Sequence, residues 1–174
     1  EIRGGNWIEG MLEKASITRR AYEAIAELHG LDLDHDLTLP DPTPDSLEAS
    51  GLRKLIADIG RLPTSSAFAD WERDLLGAIP DFLLNYTRYR SWFEAVSRAD
   101  IEAFLGESFD DLAAADAALQ ARIDTDDPAD DNELVRLMHR RMLRLSMITA
   151  GTNPDETNPF FYILEPVIDR ERDG

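Results

Sequence analysis

The strongest constraint on the fold is the spacing of the apolar residues, which recur every three or four positions along most of the chain. That spacing places them on one face of an α-helix, whereas a half-buried strand would alternate apolar and polar residues. No series of evenly spaced strands and no internal repeat accompanies this pattern. The sequence therefore predicts an all-α fold, a compact single-domain helical array or bundle of about six to eight helices.

The connections between the helices are marked by proline and aspartate. With 174 residues the chain fits one domain, and we assign residues 1–174 to a single helical domain. A Pro/Asp-rich connecting loop is predicted over residues 31–45 and an acidic loop over residues 124–131. Asp45 and Glu48 have the spacing of an N-cap and a third helical residue, so a helix is expected from about residue 46 to 59.

Two further places interrupt the helical pattern. Pro80 lacks an amide N–H, so we expect a kink or break there and a new aromatic helix from about residue 80 to 97. A second break is expected between Leu105 and Ser108, where a glycine follows a short helical turn. The aromatic helix is predicted to turn one face to the core. That face consists of Phe82, Tyr86, Tyr89 and Phe93.

The charge balance indicates the medium in which the protein works. The chain has 35 acidic and 18 basic residues, a formal net charge of −17, and no lysines besides Lys14 and Lys54. In molar salt the Debye length falls to about 3 Å, so the self-repulsion of such a chain is largely screened. We therefore predict a halophilic, archaeal protein of cytoplasmic localisation. An acidic protein that mimics DNA or binds a basic partner is the alternative.

Several protein classes are excluded by what the sequence lacks. The chain has no cysteine, so disulfides, thiolate metal ligands and thiol nucleophiles are excluded. No apolar run approaches the length of a membrane span, and the first residues lack the basic and apolar regions of a signal peptide. We therefore predict no membrane association and no export.

Residues that could carry catalysis are scattered. His29 stands at a helix end, His35 in an acidic loop and His139 inside a late helix. The alternating carboxylates of residues 32–36 begin like a calcium loop, but the glycine and the final glutamate of such a loop are missing. No catalytic residue, metal site or cofactor is predicted. An enzyme or metal-binding protein built on Asp and His residues is the third of three functional hypotheses.

The most informative segment for function is the helix predicted from about residue 132 to 149. Its basic residues are Arg136, His139, Arg140, Arg141 and Arg144, and three of them share one face. Guanidinium groups form bidentate contacts with carboxylates and phosphates. This stripe is therefore a candidate docking face for an acidic protein or, in the second hypothesis, for the phosphates of nucleic acid. The alternative is that the arginines pair with acidic neighbouring helices.

A short apolar run near the C-terminal end fits either a helix or a strand. If it is exposed in the isolated chain, we expect it to be a docking element, because such a run would otherwise promote aggregation. The predicted interaction surface combines this run with the basic stripe. It consists of Arg136, His139, Arg140, Arg141, Arg144, Phe160, Phe161 and Tyr162.

One resemblance to a known family is present. Residues 62–71, residues 83–86 and the Trp92–Phe93 pair resemble the helical non-catalytic subunit of class III polyhydroxyalkanoate synthases. The likeness covers a minor part of the chain, and we carry no residue role or function over from it.

The sequence as a whole favours a non-enzymatic helical subunit or adaptor that acts by protein–protein interaction in a high-salt cytoplasm. A protein partner is therefore predicted, and self-association into a homo-oligomer stays open. A nucleic-acid-associated accessory protein using the Arg-rich helix is the second hypothesis. It is ranked lower because electrostatic binding to phosphates falls steeply with salt.

Overall fold

The computed structural model describes residues 7–34 and 38–150, with side chains over residues 17–34 and 38–148. Within these ranges the chain forms α1 (Trp7–His29), α2 (Leu47–Ile59), α3 (Ala67–Leu105), α4 (Leu112–Ile123) and α5 (Asp131–Ala150). The described residues contain no strand, so the all-α prediction is confirmed. Their five helices are fewer than the predicted six to eight because segments expected to be separate are joined in α3.

α3 is one continuous helix across Pro80, where the sequence predicted a kink or break. Proline in a helix interior removes one hydrogen bond and costs about 3 kcal/mol. Pro80 is buried, and α2 packs along this half of α3, since Ile59 at the end of α2 lies beside Gly77 and Thr43 just before α2 bonds to the Arg88 carbonyl oxygen. The packing offsets the lost bond, so tertiary contacts override the local signal. The break expected after Leu105 is confirmed, since Gly106 ends the helix in the left-handed conformation with φ 71°.

α2 begins with a side-chain cap, although not at the residue that the sequence predicted. Ser46 Oγ accepts a hydrogen bond from the Ala49 amide at 3.2 Å. Asp45 instead forms ion pairs with Arg53 and, at 3.5 Å, with Arg88. The helix starts one residue later than the Asp45 cap requires, so the Ser46 hydroxyl is the group that reaches the free amides of the first turn.

α2 lies antiparallel to the N-terminal half of α3. Before α2, the amide and hydroxyl of Thr43 donate to the Arg88 carbonyl oxygen at 3.2 and 2.9 Å. After α2, the Thr64 hydroxyl donates to the Asp70 carboxylate at 2.5 Å. These bonds tie both ends of α2 to α3, and together the two helices form a hairpin.

α4 and α5 pack against α3, and α1 packs against α5. α5 runs antiparallel to α3, since Leu137 near its start clusters with Ile101 while Ile148 near its end clusters with Phe93. The first buried cluster is Phe82, Tyr89, Phe93 and Ile148, and the second is Ile101, Ala115, Leu119 and Leu137. The predicted core face of the aromatic segment is therefore confirmed, with Tyr86 half-buried beside it.

Candidate protein-interaction site

The basic residues at the centre of α5 are paired with carboxylates of neighbouring helices. Asp100 of α3 takes two of them, because its Oδ2 lies 3.3 Å from Arg140 Nε and 2.6 Å from Arg144 Nη1. On α4, the two oxygens of Asp116 accept from both ends of the Arg141 guanidinium at 2.5 and 2.8 Å. This bidentate geometry gives the stronger class of charge-assisted hydrogen bond. Ion pairs thus join α5 to both α3 and α4.

The other two basic residues of the stripe are also engaged. Arg136 Nη1 lies 2.5 Å from Glu133 Oε1, and Arg136 Nε donates to the Asp32 carbonyl oxygen at 3.3 Å. His139 Nε2 lies 3.4 Å from Glu23 Oε1 on α1. These contacts link α5 to α1 and to the loop that follows α1.

Glu23 is the acidic centre of the α1–α5 contact. Its carboxylate lies 3.2 Å from Arg19 Nε and also contacts Arg20 and His139. Burial alone would raise the pKa of the Glu23 carboxyl, but the His139 hydrogen bond and the charges of both arginines outweigh it. The pKa is held below its ordinary value, so Glu23 is ionised at neutral pH.

The predicted basic stripe therefore lies in a polar seam between helices. Arg144 is 7% exposed and His139 is 0% exposed, while the other three arginines are half-buried. Arg140, Arg141 and Arg144 form the ion pairs with neighbouring helices that were the alternative to a docking face, whereas Arg136 pairs with Glu133 of α5 itself. A binding role for the stripe stays a prediction. Phe160, Phe161 and Tyr162 lie outside the described residues.

A different surface, at the N-terminal end of α3, carries exposed aromatic side chains. Phe68 and Trp71 are 64% and 49% exposed, and their ring centroids lie 5.6 Å apart. They begin an apolar series at alternating three- and four-residue spacing that continues through Leu75 and Ala78 to Phe82 in the core. We call Phe68, Trp71, Leu75 and Ala78 the α3 end stripe.

Packing explains why one series is core at one end and surface at the other. Phe82 is 5% exposed and belongs to the same cluster as Ile148 of α5. Phe68 lies about four helical turns nearer the start of α3. Leu75 and Ala78 are half-buried and mark the transition. Leu75 and Ala78 still pack against that cluster, so Phe68 and Trp71 are the residues of the α3 end stripe that lie beyond the covered core.

The α3 end stripe is bordered by carboxylates. In a heptad, positions a and d form the apolar seam and positions e and g flank it. The flanking positions here are Ala67, Glu72, Asp74, Ile79 and Asp81. Their three acidic residues are exposed. Arg73, on the far face, pairs with Asp70 and Asp74 at 3.2 and 3.0 Å. The surface is thus apolar in its centre and acidic along both edges.

Sequence reasoning placed Phe68 and Trp71 in a helical pattern but did not single them out. The available signal was the unbroken spacing from Phe68 to Val96. The expected break at Pro80 divided that series in two and hid its continuity. The exposure itself has no local signal, because it depends on which other helices reach this end of α3.

A pocket of about 500 Å³ opens between the end of α1 and the start of α5. Its walls are largely apolar and come from Ile25, Leu31, Ile123, Leu134, Val135 and Met138. His29 lines this pocket, whereas His139 is buried against Glu23, and His35 is not among the described residues. In the part of the chain that the structure describes, no three His, Asp or Glu side chains are grouped to hold a metal ion.

Comparison with known proteins gives no relative: no family model, no curated protein and no solved structure matches the chain significantly. Among the helices of the described residues, none is both long enough and apolar enough to cross a bilayer. The function is therefore inferred from the geometry of the surface.

Proposed function

We propose that the chain is a non-enzymatic helical subunit or adaptor that binds a protein partner through the α3 end stripe, in a high-salt cytoplasm. The observation that carries the proposal is the exposure of Phe68 and Trp71 on a series whose residues further along α3 are buried or half-buried. Adjacent, exposed aromatic side chains with polar edges are typical of interaction sites. The net charge of −17 supports the high-salt medium.

Covering this aromatic pair would supply a substantial part of a binding free energy. Phe and Trp each bury about 150–250 Å² when fully covered, so covering the exposed parts removes roughly 250 Å² of surface. At about 25 cal/mol per Å² the transfer is worth roughly 6 kcal/mol before the costs of association are subtracted. Aromatic anchors of this kind dominate the energetics of most protein interfaces.

The arrangement of α5 gives the nucleic-acid hypothesis no support, and we do not propose it. Phosphate binding needs cations that face the solvent. Arg140 and Arg144 share Asp100, and Arg141 is held by Asp116. The enzyme hypothesis is not proposed either, since His29 and His139 lie in separate environments.

Site-specific photo-cross-linking tests the proposal. A benzophenone side chain at position 68 should capture a defined protein in cells of the source, whereas the same group at position 47 should not. Leu47 is a matched control because it is 87% exposed but lies on α2, outside the stripe. The captured protein is then purified and its affinity measured for the intact chain and for variants.

The expected result is that Phe68→Ser/Trp71→Ser weakens this affinity by about a hundredfold, in the range of lost interface anchors, while Leu47→Ser leaves it unchanged. The proposal fails if position 68 captures no protein, or if position 47 captures the same protein equally well. It also fails if the double substitution leaves the affinity of the captured protein unchanged.

A further inference from the structure

We infer that the occupant of the α3 end stripe is an amphipathic helix of a different protein, with apolar residues at three- and four-residue spacing and Lys or Arg along its edges. This inference rests on the proposed function and specifies the partner. It is carried by two properties of the described residues, the periodicity of the stripe and the sign of the charges that flank it.

The periodicity points to a helix as the occupant. Further toward the C-terminal end of α3, the same series packs against another helix. Its residues Phe82, Tyr89 and Phe93 cluster there with Ile148 of α5. The α3 end stripe continues that surface by two heptads, with the alternation of three and four interrupted at Phe82, where two four-residue steps follow each other. Seams of this kind accept the apolar residues of a facing helix between their own. Strand addition by an extended peptide would need a free strand edge, and the described residues contain no strand.

The flanking charges point to a basic partner. Positions e and g of a heptad seam face the same positions of the partner helix and set its identity by charge. Glu72 lies on one edge of the stripe, and Asp74 and Asp81 lie on the other. All three are exposed, Asp74 pairs with Arg73 on the far face at 3.0 Å, and no flanking position from residue 67 to 82 carries a cation. Lys or Arg on the edges of the partner would complement both sides.

The same charges disfavour a second copy of this chain. A two-fold contact places the same patch on both subunits, so it would bring these carboxylates together. Like charges at flanking positions are a device by which helices reject the wrong partner.

Synthetic peptides distinguish the contribution of the edge charges to binding from that of the apolar seam. Two labelled three-heptad peptides carry Leu at the seam positions and differ only in having Lys or Glu at the edges. Binding to the intact chain is measured by fluorescence anisotropy in about 2 M KCl, where only contacting charges act strongly. The Lys-edged peptide should bind at least about tenfold more tightly than the Glu-edged one, and Phe68→Ser/Trp71→Ser should weaken it by at least that factor.

Charge-reversing substitutions distinguish the effect of pairing at the stripe from the effect of the overall negative charge of the protein. Glu72→Lys/Asp74→Lys should reverse the preference between the two peptides. Asp41→Lys/Glu107→Lys changes the net charge equally at exposed positions away from the stripe and should leave the preference intact. Equal effects of the two double variants, or no preference for either peptide, would overturn the inference.

The photo-cross-link at position 68 distinguishes the remaining occupants. A captured partner whose cross-linked segment is helical and basic supports the inference. A partner captured through an acidic or extended segment leaves the proposed function standing and overturns the inference, whereas the absence of any captured protein removes both. A cross-link into residues 151–174 of the same chain, or a dimer in light scattering that Phe68→Ser dissociates, would assign the stripe to the chain itself.

Discussion

The two ends of α3 are built from the same apolar series, yet they stand in opposite surroundings. Towards its C-terminal end, Phe93 and Ile101 are buried beneath α4 and α5. At its N-terminal end, Phe68 and Trp71 face the solvent, although α2 packs on another side of the same half. The spacing of a helix decides which residues share a face, but only its neighbours decide whether that face is core or surface.

The polar contacts differ between the ends in the same way. Asp100 at the covered end is shared by Arg140 and Arg144, which hold α5 in place. At the open end, Asp74 is largely exposed and pairs with its neighbour Arg73. A buried ion pair at the covered end therefore costs much to break, whereas the exposed pair at the open end contributes little to stability.

The largest effect is expected from truncating the apolar series at its covered end. Phe93→Ala should lower the free energy of unfolding by about 4 kcal/mol, because it removes a buried ring and leaves a cavity in the first cluster. Urea unfolding followed by circular dichroism in about 2 M KCl measures this, since urea adds no ions of its own. A loss below about 1 kcal/mol would mean that this end is not covered in solution.

A smaller loss of unfolding free energy is expected from breaking the ion pairs between α5 and α3. Asp100→Ala should cost about 3 kcal/mol, because Arg144 is left buried without its carboxylate partner. Asp74→Ala, at the open end, is the control and should change the unfolding free energy far less. Equal losses of unfolding free energy in the two variants would show that carboxylates at the two ends of α3 contribute equally to stability.

The smallest effect on stability is expected at the open end of the series. Phe68→Ser should change the free energy of unfolding by no more than about 0.5 kcal/mol, because the ring is already 64% exposed. The same urea titration measures it. A loss above about 2 kcal/mol would show that the α3 end stripe is covered in the free protein, and the contrast between the ends would disappear.

The parts of the fold that sequence reasoning predicted are those set by local chemistry. Helix-favouring spacing and the glycine after Leu105 act within a few residues of one another, whereas the cap of α2 was predicted at Asp45 and is the neighbouring Ser46. The prediction of a break at Pro80 was wrong. It took account of the cost of one missing hydrogen bond but not of the packing of α2 along this part of α3. Local signals give the elements, but packing decides whether two of them join.

The candidate site was less accessible to sequence reasoning. The basic character of α5 was evident, but its partners were not, since Asp100 and Arg144 are separated by 44 residues in the chain. Whether an arginine binds a partner or a neighbouring helix depends on that distant pairing. The exposure of Phe68 and Trp71 is likewise a property of the assembled helices and has no counterpart in any short stretch of sequence.

The unbroken length of α3 has a mechanical consequence. Its 39 residues give a helical rise of about 58 Å, and at Pro80, which cannot donate a backbone hydrogen bond, the helix lacks one of its internal bonds. Phe68 and Trp71 lie in the shorter segment of α3, on the N-terminal side of Pro80. A bound partner that bent this segment would strain the helix most at Pro80. α2 would resist the bending first, because it is tied to α3 on either side of Pro80, at Thr43 and at Thr64.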